Sequence, residues 1–305
     1  MLNCGGFEGN GQTLRIVMRL EKYKRRMGMN PTRRLVLALL KYPVPYSAFD
    51  GEQVRVKPPK CYFDTEKKIV NWAFGRPFTR GEVAHFTSRD VDDEKPSRRT
   101  LDSSLMEIAD DIAYGVHDLE DIVARDMVDK GDVLDGLRPV FRDCSTTIGP
   151  GDKAVSLREF DKCLFADSFE RKQFIGKLVN LFVTTSEIKE RCVVSHPLLK
   201  YYIGFEPLVG ALLKALKDLT YRLVIDRAEV QQLERRGQHV VNKLFEELVA
   251  APDRLIPRNA REALDEDDPV ERRVCDYIAG MTDRYAEKIY KRLFIPGEGS
   301  SHDEL

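Results

Sequence analysis

One stretch, Ser104 to Asp121, constrains this chain more than any other. Leu105, Ile108, Ala109, Ile112, Val116 and Leu119 recur at three- and four-residue steps, the spacing of a helix with one face in a core. Asp110, Tyr114 and Asp118 fall at i, i+4 and i+8, so a stripe of carboxylate, phenol and carboxylate runs beside the apolar one. Ser104 followed three residues later by Glu107 reads as a capping box that starts the helix. The acidic stripe, with Asp111 and Asp121 nearby, gains no stability from its own like charges. Either solvent covers it or it faces a cation, and geometry alone favours solvent, because most acidic helix faces lie at the surface.

A chain of 305 residues holds one large or two ordinary domains. A net charge of −1 with 32% charged residues fits a soluble cytoplasmic globular protein rather than a dedicated nucleic-acid binder, and leaves room for a local basic pocket. Cys4, Cys61, Cys144, Cys163, Cys192 and Cys275 form no Cys-x-x-Cys pair, which predicts reduced, packed thiols and neither a disulfide framework nor a zinc site. No apolar run reaches transmembrane length, and no basic-then-apolar leader opens the sequence. His302-Asp303-Glu304-Leu305 spells a retention signal, expected here to be a chance match.

Along the chain, Gly5 to Gln12 is glycine-rich and runs into a predicted helix from Thr13 to about Met27. Lacking a Lys-Ser/Thr pair and a preceding strand, it fails as a nucleotide-binding loop. A second helix is predicted over Thr32 to Leu40, stopped at Lys41-Tyr42-Pro43, and a short one over Glu66 to Ala73. The charged, weakly periodic stretch 75–100 reads as a surface insertion or loop. Residues 132–166 are turn-rich. Helices are predicted over Phe169 to Thr184, Glu206 to Leu233 with a break near Asp226, Val240 to Val249, and Val270 to Phe294. With no convincing sheet the fold class is mainly α. The domains read as 1–130, with 75–100 as an insertion, and a helical region 131–296, followed by a disordered tail 297–305.

Two His-Asp pairs invite a metal reading. His302-Asp303 lies in the tail. His117 sits about 20° around the helix from Asp110, and is read as a polar residue at a pocket rim. A metal site needs at least three donors; the five histidines lack ligand spacing, so Asp110 is the single persuasive ligand. Arg15, Arg19, Lys41, Lys57 and Lys60 could converge on an anion, although each alone is more often a surface cation.

Three segments in order carry a resemblance: Gly6 to Arg15 with its Phe-Glu-x-Asn-x-Gln pattern, Ile108 to Tyr114 with Asp118 to Asp121, and Tyr277 to Ala286. Together they resemble the deoxyguanosine triphosphate triphosphohydrolase family of HD-domain proteins. The resemblance implies an HD-superfamily helical domain that hydrolyses a deoxynucleoside triphosphate, dGTP first, to deoxynucleoside and tripolyphosphate.

It further implies that Asp110 closes a site for Mg or Mn, which would polarise the α-phosphate and position water. Tyr114 would lie beside triphosphate and sugar, Asp118 would contact the sugar, and Asn10, Lys41, Tyr42 and Lys60 would contact phosphates. As partners it implies a homo-oligomer and weak contact with single-stranded nucleic acid, and no membrane. The family's first histidine, its His-Asp pair and its catalytic histidine precede the Phe-Glu-x-Asn segment, where this sequence begins, so no catalytic residue is assigned. Either the sequence is the C-terminal part of a longer or split enzyme, or it is a degenerate homologue that binds nucleotide or partners without catalysis. A plain helical interaction subunit is the third reading.

Overall fold

The computed structural model describes residues 6–23, 27–49, 59–88, 98–141 and 146–298. Its main helices are α1 (Gly9–Arg15), α2 (Arg33–Leu39), α3 (Lys67–Ala73), α4 (Arg80–Thr87), α5 (Leu101–Ile112), α6 (Asp118–Ala124), α7 (Lys130–Leu137), α8 (Ser168–Thr184), α9 (Pro207–Thr220), α10 (Ala228–Ala250), α11 (Val270–Ala279) and α12 (Asp283–Phe294). Two small antiparallel pairs accompany them: β1 (Thr147–Ile148) with β2 (Val155–Ser156), and β3 (Glu187–Glu190) with β4 (Tyr201–Gly204). The fold is mainly α, as the periodicity predicts, and the two hairpins are the sheet that the sequence did not announce.

Local chemistry sets several boundaries. Asp167 caps α8 by accepting from the backbone N–H of Phe169 at 2.8 Å and Glu170 at 2.9 Å, which satisfies two otherwise orphan donors. Thr79 and Glu82 close a reciprocal capping box on α4. The stretch read as a loop over 75–100 therefore contains a helix, whose short length hid its period; residues 89–97 lie outside the described ones. The predicted helix from Thr13 begins earlier, at Gly9, because the Glu8 side chain caps it. Residues 299–305 of the predicted disordered tail also lie outside the described residues.

The chain divides into two compact units, residues 1–99 with 233–305, and residues 100–232. The boundary read at residue 130 falls within the second. That unit packs Ile112, Val116 and Leu119 with Leu178, Phe182, Leu212, Leu213, Leu216 and Leu219 into one core, each fully buried leucine contributing roughly 1.5–3 kcal/mol. Phe160 and Phe174 meet edge to face at 4.9 Å between centroids. In the first unit Leu244, Leu248, Ile256, Val274 and Ile289 form the apolar cluster of the C-terminal helices.

The apolar stripe is corrected at its N-terminal end. Leu105 is 53% exposed and Ala109 is exposed, while Ser104 is buried. The helix starts at Leu101, capped by Thr100 through Ser103 N–H, so Ser104 is no cap. Its hydroxyl donates to the Leu101 carbonyl at 2.7 Å and accepts from Ile203 N–H at 2.8 Å, a pair of bonds that tethers the helix to β4. The buried face thus runs Ser104, Ile108, Ile112, Val116 and Leu119.

Beyond α5 the helix passes through one π turn, Ala113–His117. Gly115 in that turn faces α9 so closely that a Cβ there would lie 3.2 Å from Leu213 Cδ1 and from Lys217 Cγ. We expect Gly115→Val to cost about 1–3 kcal/mol through overpacking, whereas Gly176→Ala, with nothing within 4 Å inside α8, stabilises by about 0.5–1 kcal/mol. Urea unfolding of both variants should move the midpoint in opposite directions.

Candidate functional site

The acidic face of α5 and α6 depends on the π turn. In a regular helix eight positions rotate by about 800°, leaving Asp118 about 80° past Asp110. A π turn bonds i to i+5 and accommodates one additional residue. Eight positions then rotate roughly as seven would, and Asp118 returns to within about 20° of the bearing of Asp110. The interruption straightens the stripe that the i, i+4, i+8 spacing only approximates. Asp110 and Asp118 are exposed and Tyr114 is half-buried.

Burial first, then the charges of Asp118, Tyr221 and Asp218, hold the Tyr114 phenol above its usual range, so it remains a neutral hydrogen-bond donor. Burial and then Asp121 also raise the Asp118 carboxyl, with His117 acting in the opposite sense. Asp111 forms an ion pair with Lys217, which removes it from the exposed stripe. His117 is solvent-exposed and 3.7 Å from Glu120, a position that suits a rim residue.

In the first unit two predicted residues meet at one carboxylate. Buried Glu8 accepts from Asn10 Nδ2 at 2.7 Å and from Lys60 Nζ at 3.0 Å. It also accepts from the backbone N–H of Asn10 at 2.9 Å and Gly11 at 3.1 Å, which caps α1. Asn10 and Lys60 are thereby pinned with donors left over, since an ammonium carries three N–H and an amide two. Gly11 sits in tight packing: a Cβ would lie 3.0 Å from the Phe63 ring and 3.2 Å from the Cys61 carbonyl.

Lys41 and Tyr42 follow α2, half-buried and buried respectively. Their strand-like continuation runs beside the segment after Lys60, with Tyr62 N–H donating to Val44 O at 3.0 Å and Tyr46 N–H to Tyr62 O at 2.9 Å. The Arg99 guanidinium lies over the Tyr42 ring at 5.7 Å. Lys57 lies outside the described residues.

Arg15 and Arg19 do not serve an anion. Arg15 is fully buried and meets Glu66 at 2.7 Å, Asp276 at 2.8 Å, and Asp268. Burial opposes its charge, but the hydrogen bond and charge of Asp276, with Asp268 and Glu66, outweigh that and hold the guanidinium above its ordinary pKa. Arg19 pairs with Glu66 at 2.9 Å and Asp265 at 3.3 Å. Gln12 adds a donor to Asp276 at 3.0 Å. The four carboxylates that meet them, Glu66, Asp265, Asp268 and Asp276, show no spacing in sequence relative to Arg15 and Arg19, which is why the two arginines read as free cations.

A divalent metal is the cofactor the resemblance implies. Among the described residues no group of three or more His, Cys, Asp or Glu side chains could hold one. Asp110 alone does not make a site. Among the same residues no helix is long and apolar enough to cross a membrane.

A family model described as phosphohydrolase-associated domain matches residues 203–292, from β4 through most of α12. The chain is 37% identical over 318 residues to a deoxyguanosinetriphosphate triphosphohydrolase-like protein of Shewanella halifaxensis, covering 97% of this chain and 70% of that protein. It is 38% identical to the like-named protein of Shewanella pealeana over 330 residues, 99% of this chain and 72% of the relative. With that of Shewanella loihica it shares 35% over 328 residues, 99% and 73%. The chain belongs to the deoxyguanosinetriphosphate triphosphohydrolase-like family.

Within that family assignment, two contributors escape a reading by motif. Glu8 sits in the matched segment, yet glutamate is an uncommon N-cap, and nothing in the spacing reveals that it holds Asn10 and Lys60. Asp276 borders the third matched segment, whose Tyr277 and Tyr285 hydroxyls meet at 3.2 Å.

Arg15→Met, which leaves three carboxylates around an apolar side chain, should cost at least about 3–5 kcal/mol, seen as a large fall in the thermal midpoint; a midpoint equal to the parent's would refute the role given to this pairing. The Asp118 carboxyl should titrate above a free aspartate. Asp121→Asn should move its midpoint down and His117→Ala should move it up, followed by side-chain carbon NMR.

Proposed function

We propose that this protein is a deoxynucleoside triphosphate triphosphohydrolase, with dGTP as the first substrate to test. The reaction adds water across the bond from the 5′-oxygen to the α-phosphorus, giving deoxyguanosine and tripolyphosphate. The single observation that carries the reading is the face of α5 and α6, where the π turn aligns Asp110, Tyr114 and Asp118 in a chain of this family.

Each residue has a task that its chemistry suits. Asp118, a carboxylate, accepts a hydrogen bond from a sugar hydroxyl. Tyr114, held as a neutral phenol, presents a ring to the sugar and a donor to the phosphate. Asp110 offers one carboxylate to a cation. Lys60 and Lys41 offset triphosphate charge, Tyr42 and Asn10 donate hydrogen bonds to phosphate oxygens, and Glu8 positions Asn10 and Lys60. A homo-oligomer and weak affinity for single-stranded nucleic acid complete the reading.

The test is incubation of the purified chain with dGTP and Mg or Mn, with chromatographic detection of deoxyguanosine and tripolyphosphate. Asp118→Asn should weaken nucleotide binding about tenfold, the range of a charge-assisted hydrogen bond, and Tyr114→Phe only a few-fold. Nucleotide binding by calorimetry without turnover would make the chain a nucleotide-binding module. Absence of both, with no effect of either variant, would leave a helical interaction subunit.

A further inference from the structure

The turn between α3 and α4 forms a cleft that the assigned face does not include. Its volume is about 460 Å³, and Asn71, Phe74, Arg76, Phe78, Arg80 and Val83 are among its lining residues, with Gly75, Ala84 and Thr87 completing it. A cleft of this size suits a small organic molecule.

Its composition is selective. The lining has two guanidiniums and no carboxylate, in a chain whose totals are balanced at 49 basic and 50 acidic residues. Among the described residues neither the Arg76 nor the Arg80 side chain has a hydrogen-bond or ion-pair partner, in contrast to Arg15 and Arg19, whose guanidiniums meet carboxylates at 2.7–3.3 Å. Apart from the neutral polar Asn71 and Thr87, the rest of the wall is aromatic and aliphatic, with Phe74 and Phe78 tilted against each other at 6.0 Å between centroids.

The turn itself is held from behind. Arg33 Nη1 donates to Arg76 O at 2.6 Å and Nη2 to Ala73 O at 3.1 Å. The backbone carbonyls that would repel an anion are thus satisfied by a third arginine. The opposite wall is fixed by the α4 capping box, in which the Glu82 carboxylate accepts from Thr79 N–H and Oγ1 at 2.9 Å each.

We propose that this cleft is a binding site for a small aromatic anion, a molecule with a planar apolar body seated on Phe74, Phe78 and Val83 and a phosphate or carboxylate held by Arg76 and Arg80. Guanidiniums favour such oxyanions through forked hydrogen bonds, and the phenyl walls account for an apolar body that a simple inorganic anion lacks. Asn71 and Thr87 offer neutral hydrogen bonds at the edge.

The experiment is calorimetry on the whole chain with 2-naphthyl phosphate, compared with 2-naphthoate, inorganic phosphate and 2-naphthol. The expected result is that one or both naphthyl anions bind at least tenfold more tightly than inorganic phosphate and than 2-naphthol. Arg76→Gln with Arg80→Gln should weaken that binding at least tenfold, and so should Ala84→Trp, which fills the cleft from an exposed position. Lys60→Ala should leave it unchanged, which separates this cleft from the phosphate role given to Lys60. Unaltered binding in the double variant or in Ala84→Trp overturns the proposal, as does a loss confined to Lys60→Ala. Should a variant fail to fold, the unmodified chain still decides, because equal affinity for 2-naphthol and the naphthyl anions overturns it.

Discussion

The buried guanidinium of Arg15 ties distant parts of the first unit together. Arg15 has no exposed side-chain surface and lies among Glu66, Asp268 and Asp276, residues that arrive from opposite ends of the chain. A charge so placed is costly unless every donor is met, and the three carboxylates provide acceptors that no apolar substitute would match once they are buried themselves. The consequence reaches the candidate site through α1. That helix carries Arg15 at one end and Asn10 at the other, so fixing Arg15 against α11 fixes the turn that Glu8 caps. Glu8 then places Asn10 and Lys60 within 3.0 Å of one carboxylate. The buried ion cluster is thus the support, and the half-exposed lysine is the part left able to meet a ligand.

In the second unit the corresponding constraint is steric. Gly115 allows α9 to approach the π turn to within ordinary contact of its backbone, and Leu212, Leu213 and Leu216 of α9 complete the core against Val116 and Leu119. The same turn that permits this approach adds the residue that realigns Asp118 with Asp110. Packing on one face of the helix, through Gly115, and alignment on the other, through the π turn, thus meet within the same five residues.

The class of fold was legible because apolar spacing at three and four residues is a direct image of helix packing, and α2, α8 and α11 start within a residue or so of their predicted positions. The start of α5 was misread for a physical reason: Ser104 with Glu107 satisfies the spacing of a capping box, but Thr100 is four residues earlier and Ser104 serves β4 instead. The stripe of Asp110, Tyr114 and Asp118 was visible, whereas the π turn beneath it was not, since no residue type encodes it. Asn10 and Lys60 could be named from their segment; that Glu8 joins them could not, because the contact spans 52 positions from Glu8 to Lys60.

Charge shows most plainly where sequence stops being informative. Arg15, Arg19, Lys60, Arg76 and Arg80 are alike in a count of cations, yet they occupy three different electrostatic states. Arg15 and Arg19 are neutralised by carboxylates and act as internal ties. Lys60 shares one acceptor, with two ammonium donors left for another. Arg76 and Arg80 border an apolar cleft with no acidic residue in its lining. An ion pair formed with the chain's own carboxylates has already met its desolvation cost and has little to gain from a ligand; a guanidinium beside phenyl rings has that gain still available. The ability to bind anions therefore follows from which cations the fold leaves uncompensated, not from how many the chain carries.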